Sequence, residues 1–290
     1  MQNGIQKKKN DSKVYTLYYA FFLIPLMITI VGVMFFFMFK VLTYETSSPT
    51  DYLTNVQYGA ASKRWQSAYE LSKLLANPEL VPLDNNFHKR MIAVYEHSIH
   101  DDPTVRMYLA LAMGRTKNTI YGEALLQGLT DTDKGSRVAA IKALGNMAYK
   151  PAINNLIDFT SKDKSVEERL SAAISMGNMN DKSVIPVLVK LLEDEEPNVR
   201  WDSAIALAKL GNYAGSAIIE NLLNRNYYDQ FKEVDAEEEI QAILIAIQAS
   251  NKIPSQKFIK NLLILATLDH NMKIRDKAIK TLDQTYNRKI

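Results

Sequence analysis

Hydrophobic positions follow two different rules along this chain. Residues 14–39, VYTLYYAFFLIPLMITIVGVMFFFMF, form an apolar run without a single charge. Further on, apolar residues recur at intervals of three and four, as Ile185, Leu188, Leu191 and Leu192 do, which places them on one side of an α-helix. The first rule predicts a helix that is apolar all round, and the second a long succession of amphipathic helices.

At about 1.5 Å per residue the uncharged run reaches roughly 39 Å, more than the roughly 30 Å of a bilayer's hydrocarbon core. It predicts a membrane-spanning helix over 14–42, with a bend at Pro25. A cleavable signal peptide has a shorter apolar region and small residues at its end; here the run closes on FFFMFKVLTYE, so the expected element is an uncleaved anchor. Lysines 7, 8, 9 and 13 precede the run, and the residues after Lys40 offer Glu45 and Asp51. This asymmetry predicts a basic cytoplasmic tail over 1–13, a single pass through the inner (cytoplasmic) membrane, and a periplasmic or otherwise extracytoplasmic remainder. Tyr15, Tyr18, Tyr19 and Tyr44 suit the two interfaces. Residues 43–63, containing TYETSSPTDY, read as a short tether, and 64–290 as the folded domain.

The amphipathic patterns repeat. VRMYLALAMGRT, SRVAAIKALGNM, ERLSAAISMGNM and VRWDSAIALAKL align on Arg106, Arg137, Arg169 and Arg200, at spacings of 31, 32 and 31 residues. A degenerate copy follows near Glu238, and IRDKAIKTLDQT closes the series at Arg275. Each copy continues into a second helical pattern, such as KSVIPVLVKLL, and an earlier pair begins at SKRWQSAYELSKLLA. The expected architecture is all-α: one transmembrane helix, then an α-solenoid of about six antiparallel helix pairs plus a final helix. Small residues in the first helices (Ala139, Ala140, Ala143, Ala172, Ala173) let neighbouring repeats approach closely, and a pair alone cannot bury both flanks.

Six residues before four of the arginines stands an aspartate: Asp131 for Arg137, Asp163 for Arg169, Asp194 for Arg200 and Asp269 for Arg275. The aspartate falls in the turn before a first helix and the arginine in that helix's first turn, where the macrodipole disfavours a cation that has no compensating partner. With Pro103 and Pro197 at helix starts and the wording VRxxxAxALxxLG, residues 64–286 resemble HEAT repeats, particularly the short type of phycobilisome lyases. The resemblance implies that these eight residues form a ladder tying consecutive repeats. It breaks at Arg106, which has His100 in place of the aspartate, and at the Glu238 copy, which has no arginine. HEAT arrays mostly serve as binding surfaces, and the fold alone does not dictate an activity.

Composition narrows the chemistry. There is no cysteine, which excludes thiolate metal sites, disulfides and a cysteine nucleophile. Without the five lysines and one aspartate of its first 44 residues, the chain carries 30 basic and 31 acidic residues, a balance that speaks against nucleic acid as a partner. The four histidines are His88, His97, His100 and His270; YEHSIHDD groups two of them with Glu96, Asp101 and Asp102, short of a convincing ligand set. No phosphate loop, nucleophile elbow or His-Glu dipeptide appears, so neither a catalytic site nor a cofactor is expected. Trp201 shares its register with Leu170 and Val138 and reads as packing between repeats. The long connection RNYYDQFKEVDAEEE carries Tyr227, Tyr228 and Phe231, either a partner-facing patch or a cover for the adjacent repeat. The chain thus reads as a membrane-anchored scaffold or accessory subunit of an envelope complex. Its expected partners are membrane-associated proteins, bound on a concave face lined by second helices. The alternatives are a lyase-type enzyme and an adaptor facing the cytoplasm.

Overall fold

The computed structural model describes residues 17–43, 48–98 and 102–289. The basic tail, Tyr15, Tyr44, His100 and Asp101 lie outside the described residues. Two units are present, one ending at Ser48 and the other running from Pro49 to the C-terminus.

In the first unit a five-residue π-turn, Tyr19–Leu23, leads into helix α1, Ile24–Thr43. Ile24 N–H bonds back to the Tyr19 carbonyl, so the widened turn ends just before Pro25, which has no amide hydrogen to give. Thr29 Oγ1 donates to the Pro25 carbonyl at 2.9 Å. Residues Tyr19–Lys40 are apolar and long enough to cross a membrane, and none of the described side chains there is buried.

The second unit is an all-α solenoid. Helix α2, Pro49–Tyr58, precedes six helix pairs: α3 (Ala61–Leu74) with α4 (Asn85–Ser98), α5 (Pro103–Thr116) with α6 (Gly122–Gly128), α7 (Lys134–Asn146) with α8 (Ile153–Asp158), α9 (Val166–Asn178) with α10 (Ile185–Lys190), α11 (Pro197–Lys209) with α12 (Ser216–Leu222), and α13 (Ala236–Lys252) with α14 (Gln256–Leu268). Helix α15, Met272–Tyr286, closes the series.

Helix α2 corrects the tether expected over 43–63, whose Ser, Thr and Pro residues suggested an extended linker. Pro49 stands at its start, where a missing amide costs nothing. Leu53 and Val56 are fully buried, and Arg90 on α4 donates to Thr54 Oγ1 at 2.7 Å and to Gln57 Oε1 at 3.1 Å. The segment thus closes the N-terminal end of the array.

Local chemistry sets the helix ends. Asp102, Asp133 and Ser165 accept hydrogen bonds from amides in the first turns of α5, α7 and α9, and Ser165 completes a capping box with Glu168. After each of these first helices, and after α11, one residue turns left-handed: Lys117, Ala148, Asn180 and Gly211, at φ 55°, 50°, 49° and 72°. A reversal at the same repeat position sends each second helix back along the first.

First helices stack directly on one another from α3 to α15, and the second helices pack mainly on the first helix of the following repeat, with α12 lying against both α11 and α13. Close approach requires small residues at the crossings. A Cβ on Gly114 would lie 2.5 Å from Ala143 Cα, and one on Gly177 would lie 2.6 Å from Ala206 Cβ. Two continuous cores result, one reaching from Leu53 to Leu210 and one from Trp201 to Leu282. Helix α11 belongs to both: Val199, Ala206 and Leu207 face the first core, and Trp201, Ala204 and Ala208 the second.

Candidate functional site

The arginines and aspartates of the repeats meet, with partners that differ from the six-residue pairing read in the sequence. Each of three aspartates serves arginines on both sides. Asp131 receives Arg106 of the preceding repeat through Nε at 2.5 Å and Nη2 at 2.9 Å, while its backbone carbonyl accepts from Arg137 Nη1 at 2.8 Å. Asp194 takes Arg169 the same way, at 2.9 and 2.8 Å, and its carbonyl accepts from Arg200 at 2.7 Å. Asp269 takes Arg225 at 2.6 and 2.9 Å, and its carbonyl accepts from Arg275 at 2.5 Å. The arginine six residues on therefore reaches the carbonyl, and the carboxylate belongs to the repeat before.

This geometry follows from planarity. The guanidinium fork matches a carboxylate edge with two parallel bonds, and amides two residues on (Asp133, Glu196, Asn271) occupy a remaining lone pair of each aspartate. Arg106, which the sequence pattern left out, is a full member. Asp163 is not: its side chain is 69% exposed and lies near Lys164 at 3.5 Å, while Arg137 turns to Glu168 Oε1 at 2.7 Å and Arg169 to the Lys164 carbonyl. The connection from α8 to α9 is two residues longer than that from α6 to α7, which carries Asp163 past the junction. Arg225 was missed because it stands 25 residues after Arg200, where Asp131 and Asp194 stand after Arg106 and Arg169. The signal that finds two of the three forks is that 25-residue spacing from arginine to aspartate.

Electrostatics agree with a structural role. Burial works to raise the Asp194 carboxyl, but the Arg169 hydrogen bonds, the Glu196 amide and the arginine charges outweigh it and hold the group below the ordinary carboxylate range. Asp269 is held down in the same way by Arg225 and the Asn271 amide against its burial, and Glu168 by Ser165 and Arg137. Asp202 runs the other way: burial lifts it to about 6, with the Lys209 charge pulling against the rise.

The aromatic connection folds onto the array. Tyr228 is buried and donates to the Leu222 carbonyl at 2.9 Å. Phe231 meets the Trp201 ring edge-on at a 5.0 Å centroid distance, and Trp201 Nε1 donates to Tyr227 Oη at 3.2 Å. The three residues therefore cover the α11 edge, the second of the two readings open in the sequence. His88 is also internal, with Nδ1 2.5 Å from Tyr121 Oη; His97 and His270 are exposed. Among the described residues, no three His, Cys, Asp or Glu side chains converge as metal ligands.

A lane of side chains on the first helices remains as the candidate binding surface. Positions i, i+4 and i+8 in register give Trp65, Tyr69 and Lys73 on α3, Met107, Leu111 and Arg115 on α5, and Leu170, Ile174 and Asn178 on α9. The same positions on α13 are Ile240, Leu244 and Gln248. The first two rows are mostly half-buried apolar groups, with Trp65 and Tyr69 at 37% and 39% exposure. The third row is cationic or amide, and Lys209 on α11 donates to Asn178 at 2.9 Å along it. On α7 the same positions are Val138, Lys142 and Asn146, so an exposed lysine divides the lane, and on α11 Trp201 and Ile205 are buried; apolar stretches with a polar rim have the make-up of a protein interface. Second helices α8 and α12 expose Asn154, Asn155, Asp158, Asn221 and similar groups instead.

Comparison with known proteins agrees with this architecture. Residues 153–237 match the family model for HEAT repeats. Protein YibA of Escherichia coli K12 is 31% identical over 113 residues, 35% of this chain and 40% of that protein, so the match spans less than half of the relative. The complex of CpcE and CpcF of phycocyanin lyase from a Nostoc species superposes with a TM-score of 0.55 at 19% identity, covering 84% of this chain and 96% of that one. The X-ray structure of E. coli YibA gives 0.50 at 16% identity, covering 97% and 100%. Likenesses at these identities bear on the fold.

Proposed function

We propose that this chain, a HEAT-repeat solenoid protein, holds a protein partner along the first-helix lane while its N-terminal helix anchors it in a membrane. The lane carries the proposal: apolar and aromatic groups recur in register on α3, α5, α9 and α13, rimmed by Lys73, Arg115, Asn178 and Lys209. The mechanism is binding and not catalysis. Stacked repeats set the spacing of the lane, and the anchor confines it near membrane partners and raises their effective concentration. Tyr19–Lys40 supports the anchor by length and composition. The lysines before it and the acids after it support an extracytoplasmic solenoid.

Site-specific photo-crosslinking in intact membranes tests the lane. Probes at Tyr69, Leu111 and Leu244 are expected to give one shared adduct, and a probe at Asn155 on α8 none. Adducts from Asn155 with none from the lane would move the site to the second helices. A reporter fused after Ile290 and active only in the cytoplasm would reverse the orientation.

A further inference from the structure

Helix α14 is unlike the four second helices that immediately precede it. It is 13 residues long, roughly 20 Å at 1.5 Å per residue, whereas α6, α8, α10 and α12 have six or seven. Phe258, Ile259, Leu262, Leu265 and Ala266 are buried on its inner side. Its outer arc is Gln256, Lys257, Lys260, Leu263, Ile264, Thr267 and Leu268, with Ile264 46% and Leu268 77% exposed. That arc holds no carboxylate. The acid that follows it, Asp269, is buried and paired with Arg225. Met272, 74% exposed, and Lys273 extend the same composition into α15. An open groove of about 520 Å³ runs along the helix between Ile259, Lys260, Leu263, Ile264 and Arg288.

Exposed leucine and isoleucine interleaved with lysines, without acids, is what a helix lying in a membrane interface presents: the apolar groups enter the acyl boundary and the ammonium groups meet lipid phosphates. A protein ligand for the arc would have to supply the same pairing of apolar and anionic groups. An anionic bilayer supplies both along the whole 20 Å at once, and Lys260 and Arg288 line the open groove beside the apolar groups.

We propose that the outer face of α14 docks on an anionic lipid surface, giving the solenoid a second membrane contact besides its N-terminal helix. The contact uses Ile264 and Leu268 for insertion and Lys257, Lys260 and Arg288 for the headgroups. It does not depend on the N-terminal helix spanning a bilayer.

The absence of cysteine makes the test direct. The full chain carrying Thr267→Cys with an environment-sensitive fluorophore is reconstituted in nanodiscs of phosphatidylcholine alone or mixed with phosphatidylglycerol. The label is expected to shift to the blue and to escape an aqueous quencher on the anionic discs alone, and to return to water at high salt. Lys257→Gln and Lys260→Gln should each lower the docked-to-free ratio about fivefold, and Leu268→Asp should abolish docking, with circular dichroism showing every variant folded. Equal signals on both lipids, insensitivity to salt, or protection that appears only when another membrane protein is added would overturn the proposal. A second label at Phe36→Cys reports the span separately. If that label sits in water, the anchor fails, and adding anionic vesicles to the same chain still reads α14.

Discussion

Residues 103–210 and residues 211–289 solve the same stacking problem differently. In the first block repeats follow at 31 or 32 residues, and buried arginine forks at Arg106–Asp131 and Arg169–Asp194 join alternate junctions across 25 residues each. In the second block the position 25 residues after Arg200 holds Arg225, a cation where the pattern needs an acid. Arg225 reaches across 44 residues to Asp269 and also takes Glu239 at 2.6 Å, while Trp201, Tyr227, Tyr228 and Phe231 fill the widened junction. The repeat therefore tolerates an insertion when an aromatic cluster replaces the missing polar rung. Regularity in the first block rests on forks held in register, and continuity in the second on one longer fork together with an aromatic cluster.

The largest expected effect tests the first half of that contrast. Arg169→Ala leaves Asp194 buried without its fork, and losing one partner of a buried pair costs about 3–5 kcal/mol. Urea unfolding should report that loss, and Arg169→Lys should recover little of it because an ammonium cannot bond both oxygens in parallel. A loss below about 1 kcal/mol would show that the forks do not hold the block together.

Trp201→Ala tests the second half. Removing a large buried aromatic costs about 3 kcal/mol, and the damage should be local. Hydrogen exchange is expected to accelerate over 225–252 while α5, α7 and α9 keep their protection. Uniform acceleration along the chain would mean that the two cores, joined through α11, unfold as one.

The 31-residue period and the small residues of the first helices made the solenoid legible before any coordinates, because each repeat position carries the same steric demand. Helix α2 was not legible: its burial of Leu53 and Val56 depends on α3 and on Arg90 some 36 residues away, and its Ser, Thr and Pro content resembles a linker. The ladder was half legible. Six-residue spacing marked the correct aspartates at 131, 194 and 269, because the arginine does reach their carbonyls. It could not assign the carboxylates, whose partners lie a repeat earlier. The first-helix lane was not seen at all, since it becomes visible only once exposure separates Leu111 and Ile174 from the equally apolar residues beneath them.

Asp202 offers a smaller test on the shared helix. Its folded pKa is raised to about 6, so between the ordinary carboxylate range and that value the folded chain keeps a proton that the unfolded chain releases. Its contribution to stability therefore falls as pH rises through this window. Asp202→Asn should gain on the parent chain over the same interval, on the order of 1 kcal/mol in total after screening at its solvent-facing edge. The depressed carboxyls of Asp194 and Asp269 act in the opposite sense: their contribution is present above the ordinary carboxylate range and is lost as pH falls from that range through their lowered folded values. A mutant whose advantage grew toward acid pH would contradict the assignment of the rise to Asp202.

The smallest expected effect is the most discriminating. Asp131 and Asp163 occupy the same place in the repeat pattern, six residues before an arginine, and pattern alone makes them equivalent. Their surroundings do not. Asp131 is 8% exposed, bonded twice by Arg106 and once by the Asp133 amide, and Asp131→Ala should cost about 3–5 kcal/mol by taking the carboxylate from an Arg106 that is 4% exposed. Asp163 stands in solvent beside Lys164, with Glu168 holding Arg137 in its place. Asp163→Ala should leave the melting temperature unchanged, and Glu168→Ala, which removes that substitute, should lower it. If Asp163→Ala were as damaging as Asp131→Ala, the six-residue spacing would be the true rung and the fork from the preceding repeat incidental. If Asp163→Ala is silent and Glu168→Ala is not, the junction selects a buried carboxylate within reach of the previous arginine, whatever its place in the sequence pattern.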